Sequence, residues 1–142
     1  MIDKKTQGKR NRVSGSRFEL KVRKNLESKG WIVLKNPNNV VNKQFIQGKS
    51  KYNPFTKRLM MNSGGFPDFI CFRMIIVTNV NSPEVPNKLY EVIGVEVKSN
   101  GYLDKIEKQK CQWLLDNNVF SKILIASKSK IRGEIIYKEF KN

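Results

Sequence analysis

Apolar residues recur at every fourth position near the start of the chain. Phe18, Val22 and Leu26 form one such stripe, which predicts an amphipathic helix. Gly30 follows the stripe at the position where glycine commonly ends a helix. Residues 31–34 are continuously apolar and predict a short strand directly after the helix.

The regions around this helix differ in character. Residues 1–13 are polar and basic, so we expect them to form a flexible arm. Ser14 or Ser16 is the expected N-cap, because a serine hydroxyl can accept from the free N–H groups of a first helical turn. Residues 36–65 contain few apolar side chains and predict a long loop or extended insertion. Residues 14–142 would then form a single domain that contains this insertion.

The second half of the chain alternates between apolar runs and turn residues. The predicted strands are 69–77, 90–98, 122–127 and 131–140, with a turn at 78–88 and a helix at 103–117. The strand at 69–77 is apolar enough to be buried on both faces, and the strand at 131–140 carries enough charge for a sheet edge. The order α-β-β-β-α-β, with an extra C-terminal strand, indicates an α/β fold in which helices flank a mixed sheet.

Composition and charge narrow the class of partner. The chain has 142 residues, of which 39% are hydrophobic, so it can bury one modest core. Its formal net charge is +16, and residues 1–66 contain 16 lysines and arginines against three acidic residues. Clustered positive charge favours a polyanionic partner, above all a nucleic acid, over a merely solvated surface.

Missing residue types exclude several chemistries. The chain has no histidine, which excludes Ser-His-Asp and Cys-His nucleophiles, HExxH zinc sites and histidine-dependent nucleases. Cys71 and Cys111 are too few for a cysteine zinc site. Catalysis would therefore depend on carboxylates, lysines, hydroxyls and a hard metal ion. The unlinked cysteines and the lack of a signal peptide or apolar span predict a cytoplasmic protein with no membrane partner.

Acidic residues stand at the ends of two neighbouring predicted strands. Asp68 opens the strand at 69–77, and Glu96 lies near the end of the next strand. Side chains alternate along a strand, so Glu96 and Lys98 share a face while Val97 points into the core. If the two strands are hairpin arms, Asp68 and Glu96 converge. Two close carboxylates favour Mg²⁺ or Mn²⁺, and a neighbouring lysine makes the set suitable for phosphodiester hydrolysis.

The dipeptide PD at 67–68 and the tripeptide EVK at 96–98 resemble the motif of the PD-(D/E)xK nucleases. Residues 15–35 resemble the start of the archaeal Holliday junction resolvases, and residues 64–113 resemble the VRR-NUC branch of the same superfamily. The resemblance implies a restriction-endonuclease-like core and Mg²⁺- or Mn²⁺-dependent cleavage of DNA, without a small-molecule cofactor.

The resemblance also implies roles for the acidic residues. Glu19 on the first helix would join Asp68, Glu96 and the Val97 backbone carbonyl as ligands of one or two metal ions. Lys98 would orient the attacking water and stabilise charge on the scissile phosphate. These residues form the expected catalytic and metal-binding set.

Further positions follow from the resemblance and from the charge distribution. A glutamine of the second helix would contribute to the site, and the candidates are Gln109 and, as the alternative, Gln112. Lys35 matches a basic position of the junction resolvases. The positions expected to contact DNA are Lys9, Arg10, Arg12, Arg17, Lys35, Lys49, Lys51, Lys57, Arg58 and the loop hydroxyl of Ser63.

Several functions are open at this point. A structure-selective endonuclease similar to a Holliday junction resolvase would act on branched DNA in recombination or repair, as a homodimer that makes two symmetric cuts. A VRR-NUC-like flap, single-strand or nicking nuclease is the alternative enzyme. A DNA-binding protein on an inactive nuclease fold is the alternative outside enzymes, and an RNA-associated basic protein is a weaker one. The surplus of Asn, Lys and Ile resembles products of AT-rich phages and mobile elements.

Overall fold

The computed structural model describes residues 3–60, 64–77 and 87–142. These ranges contain two helices and nine strands. Their bounds are α1 Lys4–Ser28, β1 Ile32–Lys35, β2 Asn38–Val41, β3 Gln44–Gln47, β4 Lys51–Asn53, β5 Arg58–Met60, β6 Phe69–Val77, β7 Asn87–Val97, α2 Lys105–Asp116, β8 Lys122–Lys128 and β9 Ile135–Glu139. Ser63 and all but the last two residues of the turn predicted at 78–88 lie outside the described residues, and those two belong to β7.

Five strands form one mixed sheet in the order β1-β6-β7-β8-β9. β6 is antiparallel to both β1 and β7, and β9 is antiparallel to β8. β7 and β8 are parallel, and α2 lies in the connection between them, as parallel neighbours require a crossover. The mixed α/β class and the additional C-terminal strand at a sheet edge are therefore confirmed.

Two apolar clusters lie on opposite faces of this sheet. On one face, Phe18, Val22 and Leu26 of α1 pack against side chains of β1, β6 and β7. On the other face, Cys111 and Leu114 of α2 pack mainly against β8. Successive residues of a strand contribute to different clusters, since side chains alternate between the faces. The two helices thus cover the two sides of the sheet.

The end of α1 follows the predicted pattern. The N–H of Gly30 donates to the Glu27 carbonyl (3.0 Å), and the N–H of Trp31 donates to the Leu26 carbonyl (3.2 Å). These two bonds form a Schellman motif, which requires a left-handed residue at its centre, and Gly30 has φ 86°. The glycine therefore ends the helix and directs the chain into β1.

The start of α1 corrects the sequence prediction. The helix begins at Lys4 rather than at Ser14 or Ser16, so the segment expected to be a flexible arm is helical from that point. Lys, Arg and Gln favour helix, no proline interrupts them, and each added residue gains one hydrogen bond. Residues 3–17 are all exposed, so no buried stripe marks these turns in the sequence. They project about 20 Å beyond Phe18, the first buried residue.

The described part of the region 36–65 forms two hairpins rather than a long loop, while the alternative of an extended insertion stays a prediction. β2 and β3 are joined by Asn42 and Lys43, whose φ angles of 50° and 55° are those of a type I′ turn. Val40 and Phe45 of this hairpin pack against the cluster under α2. The sequence conceals this hairpin because its turn is Asn-Lys rather than a glycine-containing pair. β4 and β5 form the second hairpin.

β6 is apolar apart from Arg73 but is not buried on both faces as predicted. Phe69 and Cys71 are buried against α1, whereas Met74 and Ile75 are exposed. Met74 and Ile75 point to opposite faces of the sheet, so neither face is fully covered at this part of β6. Arg73, Met74 and Ile75 therefore lie at the surface of the domain.

α2 begins with a capping box. The Asp104 side chain accepts from the Glu107 N–H (2.8 Å), and the Asp104 N–H donates to the Glu107 carboxylate (2.9 Å). The helix predicted at 103–117 is therefore confirmed, with its start fixed by two side chains.

Among the described residues, neither helix contains an apolar stretch long enough to cross a membrane.

Candidate active site

Asp68 and Glu96 meet where β6 and β7 pair, and we call these two residues the acid pair. The register sets Phe69 opposite Val95, so the residues next to them, Asp68 and Glu96, share the face that carries α2. The N–H of Asp68 donates to Glu96 Oε2 (3.1 Å), and the N–H of Val97 donates to Asp68 Oδ2 (2.8 Å). The two carboxylates therefore converge, as the hairpin arrangement predicts.

Asn36 fixes the turn that carries Asp68. Its side chain is buried, and its Nδ2 donates to the Pro67 carbonyl (2.7 Å). Its backbone N–H donates to the Asp68 carbonyl (3.0 Å), and its Oδ1 accepts from the Asn38 N–H (2.9 Å). Sequence reasoning missed Asn36 because its partner Pro67 lies 31 residues further along the chain.

Two glycines allow close backbone approach around the same turn. A Cβ atom at Gly65 would lie 1.7 Å from the Asn36 carbonyl oxygen. A Cβ atom at Gly94 would lie 2.7 Å from Pro67 Cγ and 3.2 Å from the Phe120 ring. Neither position has room for a side chain, so the turn before Asp68 is held by contacts on both sides.

We expect Gly65→Ala to destabilise the protein and to displace the turn that carries Asp68. The new methyl group would push the Asn36 backbone away and disturb its bonds to Pro67 and Asp68. The expected loss of unfolding free energy is about 2–4 kcal/mol, measured by chemical denaturation.

Gly15→Ala is the matched control for this substitution. Gly15 lies within the exposed part of α1, and a Cβ atom there would meet nothing within 4 Å. Alanine should therefore raise the unfolding free energy by about 0.5–1 kcal/mol, because it favours helix over glycine. Unchanged stability in Gly65→Ala would contradict the described packing of the turn.

Lys98 lies beside the acid pair and connects it to α2. Its Nζ is 3.6 Å from Glu96 Oε1 and forms an ion pair with Glu107. Glu107 also closes the capping box with Asp104, so the start of α2 determines where the Lys98 ammonium lies. Sequence reasoning missed Glu107, although the D-x-x-E spacing at 104–107 is the signature of a capping box.

Glu19 of α1 reaches the acid pair through Lys35. Lys35 Nζ is 2.9 Å from Glu19 Oε2 and 3.7 Å from Asp68 Oδ1. Lys35 is the last residue of β1 and pairs with Phe69, which places it next to the start of β6. Glu19 and Lys35 are thus both brought to the site, with the ammonium between the two carboxylates.

The described residues contain no group of three or more acidic or cysteine side chains that could hold a metal ion. Asp68 and Glu96 approach each other directly, whereas Glu19 is separated from them by Lys35. At the Val97 position, the group in contact with the acid pair is the N–H. The carboxylates of Asp68 and Glu96 therefore lie side by side. The carboxylate of Glu19 lies on the other side of Lys35, which contacts both Glu19 and Asp68.

Burial determines the protonation of the site. Desolvation, together with the charge of Asp68, raises the pKa of Glu96 to about 8. Burial also raises the pKa of Asp68, which the hydrogen bond from the Val97 N–H partly offsets. For Lys98, burial alone would lower the pKa, but the hydrogen bond to Glu107 and the Glu96 charge outweigh it and the pKa is raised. The acid pair therefore retains a proton near neutral pH, while Lys98 stays charged.

The glutamines of α2 lie away from the acid pair. Gln109 is exposed and lies about 200° around the helix from Glu107, the residue that faces Lys98. Gln112 donates to Asp116 Oδ1 (2.7 Å). The structure brings neither candidate glutamine to the carboxylates, because the capping residue Glu107 takes the position on α2 that faces them.

The predicted DNA-contacting residues are exposed on several elements. α1 carries four of them, and the rest lie in or next to the hairpin of β4 and β5, apart from Lys35 at the acid pair. Those on α1 are Lys9, Arg10, Arg12 and Arg17, and those of the hairpin region are Lys49, Lys51, Lys57 and Arg58. Ser63 lies outside the described residues.

Comparisons with protein-family models, with curated proteins and with solved structures find no match to this chain. The candidate site is therefore defined by its own geometry. That geometry joins a buried carboxylate, a second carboxylate and two lysines at one end of a mixed sheet.

Proposed function

We propose that this chain is a metal-dependent DNA endonuclease of the PD-(D/E)xK type with a restriction-endonuclease-like core. The observation that carries the proposal is the acid pair beside Lys98, with Glu96 buried among groups of both charges. The order of elements and the position of Glu19 on the first helix support the proposal. The strong positive charge ahead of the site is suited to a DNA partner.

The oxygen atoms of the acid pair suit a hard divalent cation. Burial disfavours two negative charges in one place, and a cation would replace the retained proton and relieve their repulsion. Bound Mg²⁺ or Mn²⁺ would polarise the scissile phosphate and lower the pKa of a water molecule. In the proposal, the Val97 carbonyl and Glu19 are further ligands, and Glu19 becomes available when Lys35 turns towards a substrate phosphate.

Lys98 provides positive charge on the side of the acid pair that faces α2. Its raised pKa keeps it charged across the physiological range. In the proposal, this ammonium orients the attacking water and stabilises the negative charge that develops on the phosphate. Glu107 limits the positions that the ammonium can take, since it pairs with Lys98 and is itself held by Asp104.

The exposed part of α1 would hold the DNA backbone. It carries Lys9, Arg10, Arg12 and Arg17 and projects from the first buried turn, which is the turn that contains Glu19. Phosphate contacts of this kind position a nucleic acid without reading its sequence.

We place this activity in the cytoplasm, where the thiols of a DNA-processing protein stay reduced.

The preferred substrate in this proposal is branched DNA or DNA with single-stranded segments. A junction resolvase needs two active sites related by a two-fold axis, whereas a flap or nicking nuclease can act as a monomer. Ile32, Leu34, Met74 and Tyr90 are about half exposed on one area of the sheet and offer an apolar surface. Sedimentation with and without a four-way junction distinguishes the two arrangements.

The proposal is tested with four-way junction, flap, single-stranded and linear DNA in the presence of Mg²⁺ or Mn²⁺. We expect cleavage of at least one branched or single-strand-containing form, loss of cleavage in EDTA, and loss of cleavage in Asp68→Ala and Glu96→Ala. Either variant cleaving as fast as the parent, or activity that survives EDTA, would overturn the proposal. Metal-independent binding with no cleavage of any form would favour a DNA-binding protein on an inactive nuclease fold.

A further inference from the structure

A cavity of about 410 Å³ lies between the loop that leads into α2 and the residues that follow β9. Its volume falls in the range of small-ligand sites in proteins, about 300–1,000 Å³. Apolar side chains, an exposed aromatic ring and several charged residues line it. The lining includes Tyr102, Leu103, Lys108, Ile125, Lys138 and Lys141.

The cavity adjoins the acid pair along one row of the sheet. Glu96 of β7 is paired with Ile125 of β8, and Ile125 is paired with Lys138 of β9. Paired residues point to the same face, so this row leads from Glu96 across the cavity floor to Lys138. Neighbouring strands are about 4.8 Å apart, which places Lys138 about 10 Å from Glu96. A chain of nucleotides bound at the acid pair would therefore reach the cavity.

Tyr102 is held in place at its backbone but exposed at its ring. Its N–H donates to Asn100 Oδ1 (3.1 Å), and the N–H of the preceding Gly101 donates to the Lys98 carbonyl (2.8 Å). The residue is 79% exposed, so it contributes little to the core. An aromatic ring on a fixed turn four residues after Lys98 is suited to stacking on an unpaired base.

The charges around the ring fit a nucleic-acid backbone. Lys108, Lys138 and Lys141 are exposed at the cavity, against one acidic residue, Glu139. Side chains alternate along β9, so Glu139 points to the opposite face from Lys138. The face that Glu96 and Ile125 share is therefore positive at this cavity.

From this arrangement we propose that the cavity binds an unpaired nucleotide next to the scissile phosphate, with Tyr102 stacking on the base and the three lysines contacting the flanking phosphates. The inference rests on the proposed nuclease function and extends it, since it assigns the substrate a single-stranded segment on the β9 side of the acid pair. Duplex DNA cannot offer a free base face to Tyr102 without unpairing.

The test measures binding of a labelled single-stranded DNA by fluorescence anisotropy, with Ca²⁺ in place of Mg²⁺. Tyr102→Ala should weaken binding about 5- to 100-fold, which corresponds to the loss of one base stacked on an aromatic ring. Tyr102→Phe keeps the ring and should bind as the parent does. Affinity for a blunt duplex should be the same in all three proteins.

The lysines are tested through the salt dependence of binding. Lys138→Gln should reduce the slope of log K against log salt by about 0.7, the contribution of one phosphate contact on a single strand. Lys130→Gln is the matched control, because Lys130 is exposed near the start of β9 but does not line the cavity. Equal slopes in Lys138→Gln and in the parent would overturn the role of this lysine.

Failure of this inference can be told apart from failure of the nuclease proposal. If Tyr102→Ala binds single strands as tightly as the parent while Asp68→Ala still abolishes cleavage, the nucleotide cavity is wrong and the nuclease stands. If the parent cleaves no DNA form but Tyr102→Ala binds more weakly, the cavity stands as a single-strand site of a non-cleaving protein.

Discussion

We expect Glu96→Gln to lose DNA cleavage and to become more stable at the same time. The substitution removes a buried ionisable group beside Asp68 but keeps the shape of the side chain and an oxygen that can accept from the Asp68 N–H. Cleavage should fall roughly 1,000-fold or more, because a carboxamide would be a poor ligand for the cation proposed to stabilise the transition state. In EDTA at pH 8, the unfolding free energy should rise by about 1–4 kcal/mol, because the variant has no buried carboxyl that must release its proton as the pH rises.

Asp116→Asn is the matched control for Glu96→Gln. Asp116 is an exposed acid at the end of α2, paired with Gln112 rather than with the site. It should cleave within about two-fold of the parent and unfold at the same denaturant concentration. A Glu96→Gln protein that is both less stable and still active would show that Glu96 serves the fold instead of the chemistry.

In the absence of divalent cations, we expect the unfolding free energy of the protein to depend strongly on pH. Folding raises the pKa of Glu96 from 4.5 to about 8, so the folded state binds more protons than the unfolded state between these values. The unfolding free energy is therefore highest at low pH in this window and falls as pH rises towards 8, by up to about 1.4 kcal/mol per pH unit. Denaturant titrations in EDTA from pH 5 to pH 8 measure this slope.

The composition of the chain allows this slope to be assigned to the acid pair. No histidine is present, and burial raises the pKa of Cys71 and Cys111 to about 12, so the slope reports the acid pair, in which the pKa of Asp68 is raised as well. Glu96→Gln should flatten the profile. Added Mg²⁺ should restore stability at pH 8 in the parent but not in the variant, because the cation replaces the lost proton. Equal slopes in the parent and the variant would contradict a proton held at the acid pair.

The acid pair illustrates what local patterns can predict. The sequence predicts that Asp68 and Glu96 converge because each adjoins a long apolar run. These two successive runs form antiparallel strands. A glycine after an apolar stripe likewise predicts the end of α1 at Gly30. In these cases the information lies within a few residues of the feature.

Other features depend on contacts that are distant in the chain. Asn36 and Gly65 hold the turn before Asp68, but their fit to each other appears only when the backbone is folded. Glu107 serves both the cap of α2 and Lys98, and the capping pattern accounts for the first role alone. The helix start at Lys4 leaves no signal because exposed turns bury nothing.

The most direct test of the central claim is a single-turnover cleavage assay on a labelled DNA that contains a single-stranded branch. The parent protein, Glu96→Gln and Asp116→Asn are compared in Mg²⁺ and in EDTA, with protein in excess over DNA. We expect the parent and Asp116→Asn to cut the DNA in Mg²⁺ and not in EDTA, and Glu96→Gln to cut it in neither. Cleavage by Glu96→Gln at the rate of the parent, or no cleavage by the parent in Mg²⁺, would contradict the proposed function.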